Sequence, residues 1–242
     1  MKIIKGKDKS FITAEEYRNI RTNIEFSNID RKKNIILLTS TQPDEGKTTV
    51  ICNLAEVFAK LEHTKVLLID GDLRNPSVHK QFSISNRIGL TDILLGNSSF
   101  EECVRKVDSV NFEILSCGQV PPNPSEILGS QKMKDFINSL KDKYDYIFID
   151  SPPVGVVTDA SIISTYSDGV IMIIGWEEVS LDSVKTAKNR LEMVNANILG
   201  TIVNKYRSKE LDSINYYNYY YGKDKKIKRK HKKINSVELN VN

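Results

Sequence analysis

Short apolar runs alternate along this chain with longer stretches of helical period. Asn34–Thr39, Lys65–Ile69, Tyr146–Ile149, Val170–Ile174 and Ile198–Val203 are runs of four to six residues with little polar interruption. That pattern predicts strands buried on both faces. Asn111–Leu115 reads as a further strand. Lys47–Leu61, Gln131–Lys141 and about Leu181–Val194 read as helices between them, with short helices around Pro76–Gln81 and Leu90–Leu94. Residues 1–12 read as a polar lead-in. Thr13–Phe26 reads as a helix, with Thr13 and Glu16 in capping-box spacing. Pro121, Pro122 and Pro124 mark a stiff loop. No internal repeat is visible.

Strands alternating with helices predict an α/β fold with a mostly parallel sheet and helices on both faces. Ligands of such sheets bind beyond the carboxyl ends of the strands. The polar segments at 40–48, 70–72 and 150–153 all follow strand ends, so they are expected to converge. The apolar period stops near Arg207. The expected organisation is one domain over residues 1–207 and a flexible tail over 208–242.

Composition adds two asymmetries. The 242 residues carry a formal charge of +4, but residues 223–233 alone hold eight Lys/Arg and one Asp. The remaining chain is therefore mildly acidic, and the average charge gives no reason to expect nucleic acid as a partner. Five of the ten tyrosines fall within Tyr216–Tyr221. They are accessible phosphoryl acceptors or sticky low-complexity sequence. The three cysteines are scattered without a CxxC pair, and the three histidines show no ligand spacing. A disulfide framework and a zinc site are not expected, and a reducing compartment fits. No signal peptide or membrane-spanning run is visible.

Thr41-Gln42-Pro43-Asp44-Glu45-Gly46-Lys47-Thr48-Thr49 lies between a predicted strand and helix, the setting of a P-loop. Backbone N–H groups there can cradle phosphates, Lys47 can reach the β- and γ-phosphates, and the Thr48 hydroxyl can ligate Mg²⁺. The strict pattern has Gly where this chain has Thr41. Asp70 and Asp72 flank Gly71 at a second strand end; one could bind Mg²⁺ while the other accepts a substrate proton. Asp150 ends a third apolar strand, the Walker B arrangement. Glu15, Arg18 and Arg21 share one side of the first helix, where Glu15 can pair with Arg18.

Together these segments resemble the bacterial tyrosine kinases of the capsular and exopolysaccharide type, in the short form found as a separate kinase chain in Gram-positive bacteria. The resemblance spans about residues 13–221. It rests on the Ser40–Thr48 Walker A, the Asp70/Asp72 and Asp150 segments, VPPNPSEIL at 120–128, the E-x-x-R-x-x-R helix and the tyrosine cluster. It implies a P-loop NTPase-like kinase using ATP and Mg²⁺. Lys47 would contact the phosphates, Thr48 and Asp150 would organise Mg²⁺ with Asp72 in its shell, and Asp70 would take the proton from the incoming tyrosine. Tyr216, Tyr217, Tyr219, Tyr220 and Tyr221 would be autophosphorylated in trans. Glu15, Arg18 and Arg21 would lie at a subunit interface of a ring-like homo-oligomer. The cytoplasmic segment of a transmembrane polysaccharide co-polymerase adaptor would activate the kinase and recruit it from the cytoplasm to the inner face of the membrane. A cognate tyrosine phosphatase is a further expected partner. Asp44 departs from the family, which often has Gly there; its carboxylate would weaken nucleotide binding unless it points to solvent.

Two other readings compete. A partition or septum-positioning ATPase shares the expected fold, but carries a signature Lys five residues before the P-loop Lys, where this chain has Gln42. A non-catalytic regulatory subunit would not need Asp70, Asp72 and Asp150. Asn204, after the last strand, is a candidate adenine contact.

Overall fold

The computed structural model describes residues 9–27, 34–107 and 111–206. The tyrosine cluster and the basic run lie outside the described residues. The elements, in order, are α1 (Lys9–Phe26), β1 (Ile35–Ser40), α2 (Lys47–Ala59), β2 (Val66–Asp70), α3 (Val78–Phe82), α4 (Leu90–Leu95), α5 (Phe100–Cys103), β3 (Arg105–Lys106), β4 (Phe112–Leu115), α6 (Pro124–Gly129), α7 (Gln131–Leu140), β5 (Tyr146–Asp150), α8 (Asp159–Ser164), β6 (Gly169–Gly175), α9 (Leu181–Glu192) and β7 (Ile198–Asn204).

The strands form one sheet in the order β3-β4-β2-β5-β1-β6-β7. All neighbours are parallel except β3 and β4. The apolar runs are continuous because both faces of the central strands are covered. Ile35, Leu37, Leu67, Ile69, Ile147 and Ile149 pack in one core with Met133, Ile137, Ile163 and Leu191. Their neighbours Ile36, Leu38, Val66, Leu68 and Phe148 pack on the other face with Val50, Leu54 and Phe58 of α2. Phe58 is fully buried, and its ring centroid lies 4.4 Å from that of Tyr146 and 5.2 Å from that of Phe148.

Register brings the polar strand ends together. Asp70 pairs with Asp150 across β2 and β5, and Asp150 lies opposite Leu38 on β1, two residues before the strand ends at Ser40. The loop entering α2 therefore starts beside both carboxylates.

Three local expectations are corrected. The first helix begins at Lys9, so residues 9–12 are helical rather than a lead-in, and Thr13 lies past the first four N–H groups, which are the ones that need a cap. The proline segment is not all loop: Pro124 opens α6, where a missing N–H costs nothing. The short elements α5, α8 and β3 are too brief to show periodicity in the sequence, and β3 forms only by pairing with β4.

Phe58→Ala is expected to cost about 3–5 kcal/mol, as for other fully buried aromatics. Denaturant unfolding measures it, and the loss should appear in the midpoint rather than the slope.

Candidate active site

The segment from Thr41 to Gly46 turns from β1 into α2 through two left-handed residues, Asp44 at φ 64° and Gly46 at φ 86°. Left-handed residues in such loops turn successive N–H groups to one side, an arrangement suited to anions. Gly46 takes a left-handed backbone that other residues rarely adopt, and an added Cβ would also displace the Asn204 side-chain nitrogen, 2.2 Å away. The left-handed backbone gives a physical reason for glycine at position 44; aspartate is among the residues that tolerate it. Asp44 is exposed to solvent.

The loop is braced from the ends of β6 and β7. Buried Glu45 accepts the N–H of Gln42 at 2.6 Å and that of Gly175 at 2.8 Å. Asn204 donates its amide to the Glu45 carbonyl at 2.8 Å. Lys205 donates to the Asp44 carbonyl at 2.6 Å and pairs with Glu178 at 2.8 Å. Glu45 thus holds the loop with its side chain, and Asn204 touches loop backbone. Lys205 and Glu178 were not legible as site residues. A second brace comes from the loop after β5. The Val154 N–H reaches the Ser40 carbonyl and the Thr39 hydroxyl, and Arg190 of α9 donates to the Val154 carbonyl at 2.9 Å. Gly155 lies so close that a Cβ would meet the Thr41 carbonyl oxygen at 2.1 Å.

Asp70, Asp72 and Asp150 are all buried, the first and last completely. Each has a different partner. Asp70 accepts the N–H groups of Ser77 and Val78 on one oxygen, both at 3.0 Å; its other oxygen is buried without a partner. Asp72 pairs with the Lys47 ammonium at 3.1 Å and accepts the N–H groups of Arg74 and Asn75 on its other oxygen. Asp150 accepts the Thr48 hydroxyl at 2.6 Å, and its second oxygen is also unpartnered. The structure therefore brings Thr48 and Asp150 together, and Asp72 onto Lys47 rather than onto Thr48.

Burial, then the charge of Asp150, pushes the Asp70 carboxyl up to about 8 despite its two backbone hydrogen bonds. Burial also raises Asp150, against the opposing pull of Lys47 and Thr48. Burial alone would lower the Lys47 ammonium, but Asp150, Asp72 and Asp70 more than offset it. The nearby thiols are no rival nucleophiles: burial, then the charges of Asp150 and Asp70, raises Cys52, and burial, then Asp70, raises Cys117 to about 12.

Arg74, Asp159 and Ser125 form a network that sequence patterns did not single out. Arg74 grips fully buried Asp159 with two hydrogen bonds of 2.8 and 2.9 Å and reaches the Ser125 hydroxyl at 2.9 Å. Ser125 in turn donates to Asp159 at 2.8 Å. The β2–α3 loop is thereby tied to the proline segment and to α8. Their only signals were an Arg two residues beyond Asp72 and an Asp opening an unrecognised helix.

Glu15, Arg18 and Arg21 lie apart from these carboxylates, on α1. Glu15 pairs with Arg18, whereas Arg21 turns to the Val57 carbonyl of α2 at 3.5 Å and to Glu25. A cavity of about 440 Å³ lined by Lys65, Lys106, Glu113 and Tyr144 opens at the amino ends of β2 and β4, at the opposite pole.

The residues fit a metal–nucleotide complex. The unpartnered oxygens of Asp70 and Asp150 need a cation, a proton or water, and Thr48 offers a hydroxyl beside them. No cluster of three His, Cys, Asp or Glu in metal-holding geometry occurs among the described residues. Mg²⁺ does not need one, since it keeps several waters and takes one or two carboxylates plus phosphate oxygens.

Two outcomes follow. Without metal or nucleotide, the stability contributed by a protonated Asp70 is complete below its unfolded value of about 4 and is lost as pH rises through about 8. Asp70→Asn has no such loss, so its melting temperature should exceed that of the wild type increasingly from pH 5 to pH 9. Asp44→Asn should be nearly neutral, while Asp44→Val should cost about 1–2 kcal/mol in denaturant unfolding, the penalty of a left-handed β-branched residue.

Residues 33–203 match a family model described as an AAA domain. The tyrosine-protein kinase YwqD of Bacillus subtilis is 39% identical over 222 residues, covering 92% of each chain. The kinase domain of the Escherichia coli tyrosine kinase ETK superposes with a TM-score of 0.75 at 31% identity, over 81% of this chain and 78% of that one. The septum site-determining protein MinD from Pyrococcus horikoshii, complexed with Mg-ADP, is less similar: TM-score 0.60 at 28% identity, over 73% of this chain and 72% of that one. With the P-loop, the three strand-end carboxylates and near full-length similarity to such an enzyme, the chain belongs to the bacterial tyrosine-kinase family.

Proposed function

We propose that the chain transfers the γ-phosphoryl group of ATP to tyrosines of its own C-terminal cluster, Tyr216, Tyr217, Tyr219, Tyr220 and Tyr221, in trans within a homo-oligomer. The observation that carries this reading is Asp70. One of its oxygens is fixed by two backbone N–H groups, and the other is buried, unpartnered and raised to about 8. Once ionised, a carboxylate with one oxygen free and a raised proton affinity can accept a proton from a bound hydroxyl.

Each residue is assigned a role in keeping with its position. The loop from Pro43 to Thr49 binds the phosphates. Lys47 offsets charge on the β- and γ-oxygens and exchanges its contact with Asp72 for them when nucleotide enters. Thr48 and Asp150 would hold Mg²⁺, with Asp72 close by on Lys47. The metal supplies charge neutralisation at the phosphates. Asp70 accepts the proton of the tyrosine hydroxyl on its free oxygen as the tyrosine oxygen bonds to the γ-phosphorus, and the bond to the ADP oxygen breaks. Positioning and charge neutralisation suffice for such a transfer, so neither His nor Cys is required.

In this reading residues 1–207 are the kinase domain and 208–242 the substrate tail. Each phosphate adds about −1.5 to −2 charges, so five overturn the positive charge of the basic run at 223–233. The product regulates capsular or extracellular polysaccharide synthesis. No helix among the described residues is long and apolar enough to cross a membrane. The cytoplasmic segment of a transmembrane adaptor recruits and activates the kinase, and a tyrosine phosphatase reverses the modification. Glu15, Arg18 and Arg21 on α1 contribute to the contact between subunits.

The test is incubation of the full chain with Mg·ATP, with and without the adaptor segment, followed by phosphopeptide mapping. Labelling should fall on the 216–221 cluster. Lys47→Met should lower it by more than about 100-fold, as expected for loss of a charge-stabilising donor. Tail labelling that survives Lys47→Met would overturn the proposal. So would rapid ATP hydrolysis without phosphotyrosine, the behaviour of a partition-type ATPase.

A further inference from the structure

Ser77 stands immediately before α3, at the position where a serine ordinarily caps its own helix. It does not do so. Its side chain makes no capping hydrogen bond, and the Ser77 and Val78 N–H groups are taken by Asp70 from the neighbouring strand end. The Ser77 hydroxyl lies instead 3.0 Å from the Thr48 hydroxyl. Thr48 commits its proton to Asp150 at 2.6 Å, so Ser77 is the donor between the two hydroxyls and Thr48 the acceptor. A hydroxyl oxygen has two lone pairs. With one filled by Ser77 and the proton held by Asp150, a single lone pair of Thr48 remains, and its direction is fixed by the other two bonds.

We propose that Ser77 is a positioning residue of the phosphoryl-transfer site, aiming the free lone pair of Thr48 at the metal while its own N–H holds Asp70. This rests on the kinase reading above, which assigns Thr48 to Mg²⁺ and Asp70 to the proton. One residue then joins the two halves of the reaction: the same short turn that orients the metal ligand also leaves only one oxygen of the base free. A serine that served only α3 would cap α3.

Partners that orient a metal ligand typically contribute 10–100-fold in metal affinity. The experiment follows binding of a fluorescent ADP analogue to the full chain, first in EDTA and then across a MgCl₂ titration, for wild type, Ser77→Ala, Ser77→Cys and Ser77→Thr. The Mg²⁺ midpoint should rise about 10-fold or more in Ser77→Ala, with metal-free ADP affinity and melting temperature unchanged. Ser77→Cys, close in size but a poor donor, should follow Ser77→Ala, and Ser77→Thr should restore the midpoint. A Ser77→Ala midpoint within twofold of wild type overturns the proposal alone. Equal loss of metal-free and metal-dependent binding in Ser77→Ala and Ser77→Cys also overturns it, showing a merely structural role. A wild type whose ADP binding ignores Mg²⁺ has a distinct signature: it overturns the metal assignment of Thr48 and this proposal with it.

Discussion

Three buried carboxylates around one lysine set the terms for the rest of the molecule. Isolated charges of that kind cannot leave water without partners. The fold supplies a different one to each. Asp72 has the Lys47 ammonium and two loop N–H groups, Asp70 has the N–H groups of the turn into α3, and Asp150 has the Thr48 hydroxyl. What is left over is one bare oxygen on Asp70 and one on Asp150. Leaving those two buried atoms without a partner costs free energy.

That cost is bearable because the surroundings are rigid. The loop entering α2 is pinned through Glu45 to the end of β6, through its carbonyls to Asn204 and Lys205 after β7, and through Thr39, Ser40 and Gly155 to the loop after β5. Arg74 does the same for the β2–α3 loop by gripping Asp159 and Ser125. These contacts come from five different strand ends, which share a face only because the sheet is parallel there. The irregular backbone from Thr41 to Gly46 has no sheet or helix ladder of its own, so the side chains of neighbouring loops hold it.

The degree to which this was legible in the sequence differed by kind of feature. The apolar runs Ile35–Leu38, Val66–Ile69 and Ile147–Ile149 showed their burial on both faces, and Asp70 and Asp150 showed themselves by ending such runs, with Asp72 two residues beyond. The segment Thr41–Thr49 was readable because its spacing is local and its chemistry depends on backbone. The start of α1 was misread, since Thr13 and Glu16 match a cap wherever they occur, and nothing local says that the helix has already begun at Lys9. The elements α5 and α8 carry no periodic pattern that stands out, and β3, two residues long, exists only by pairing with β4.

By itself the sequence determined the order of the central strands and the longer helices, and the handful of polar residues at strand ends. These depend on periodicity and on near neighbours in the chain. Only the tertiary structure decided which carboxylate meets which partner. That Asp72 pairs with Lys47, that Asp150 takes Thr48, that Asp70 is left with one free oxygen, and that Ser77 abandons its own helix for Thr48 are consequences of register between β2, β5 and β1. Residues from 25 to more than 100 positions apart meet there within hydrogen-bond distance. Hydrogen bonding is short-ranged and directional, so spacing along the chain carries no trace of it until the sheet has brought its strand ends together.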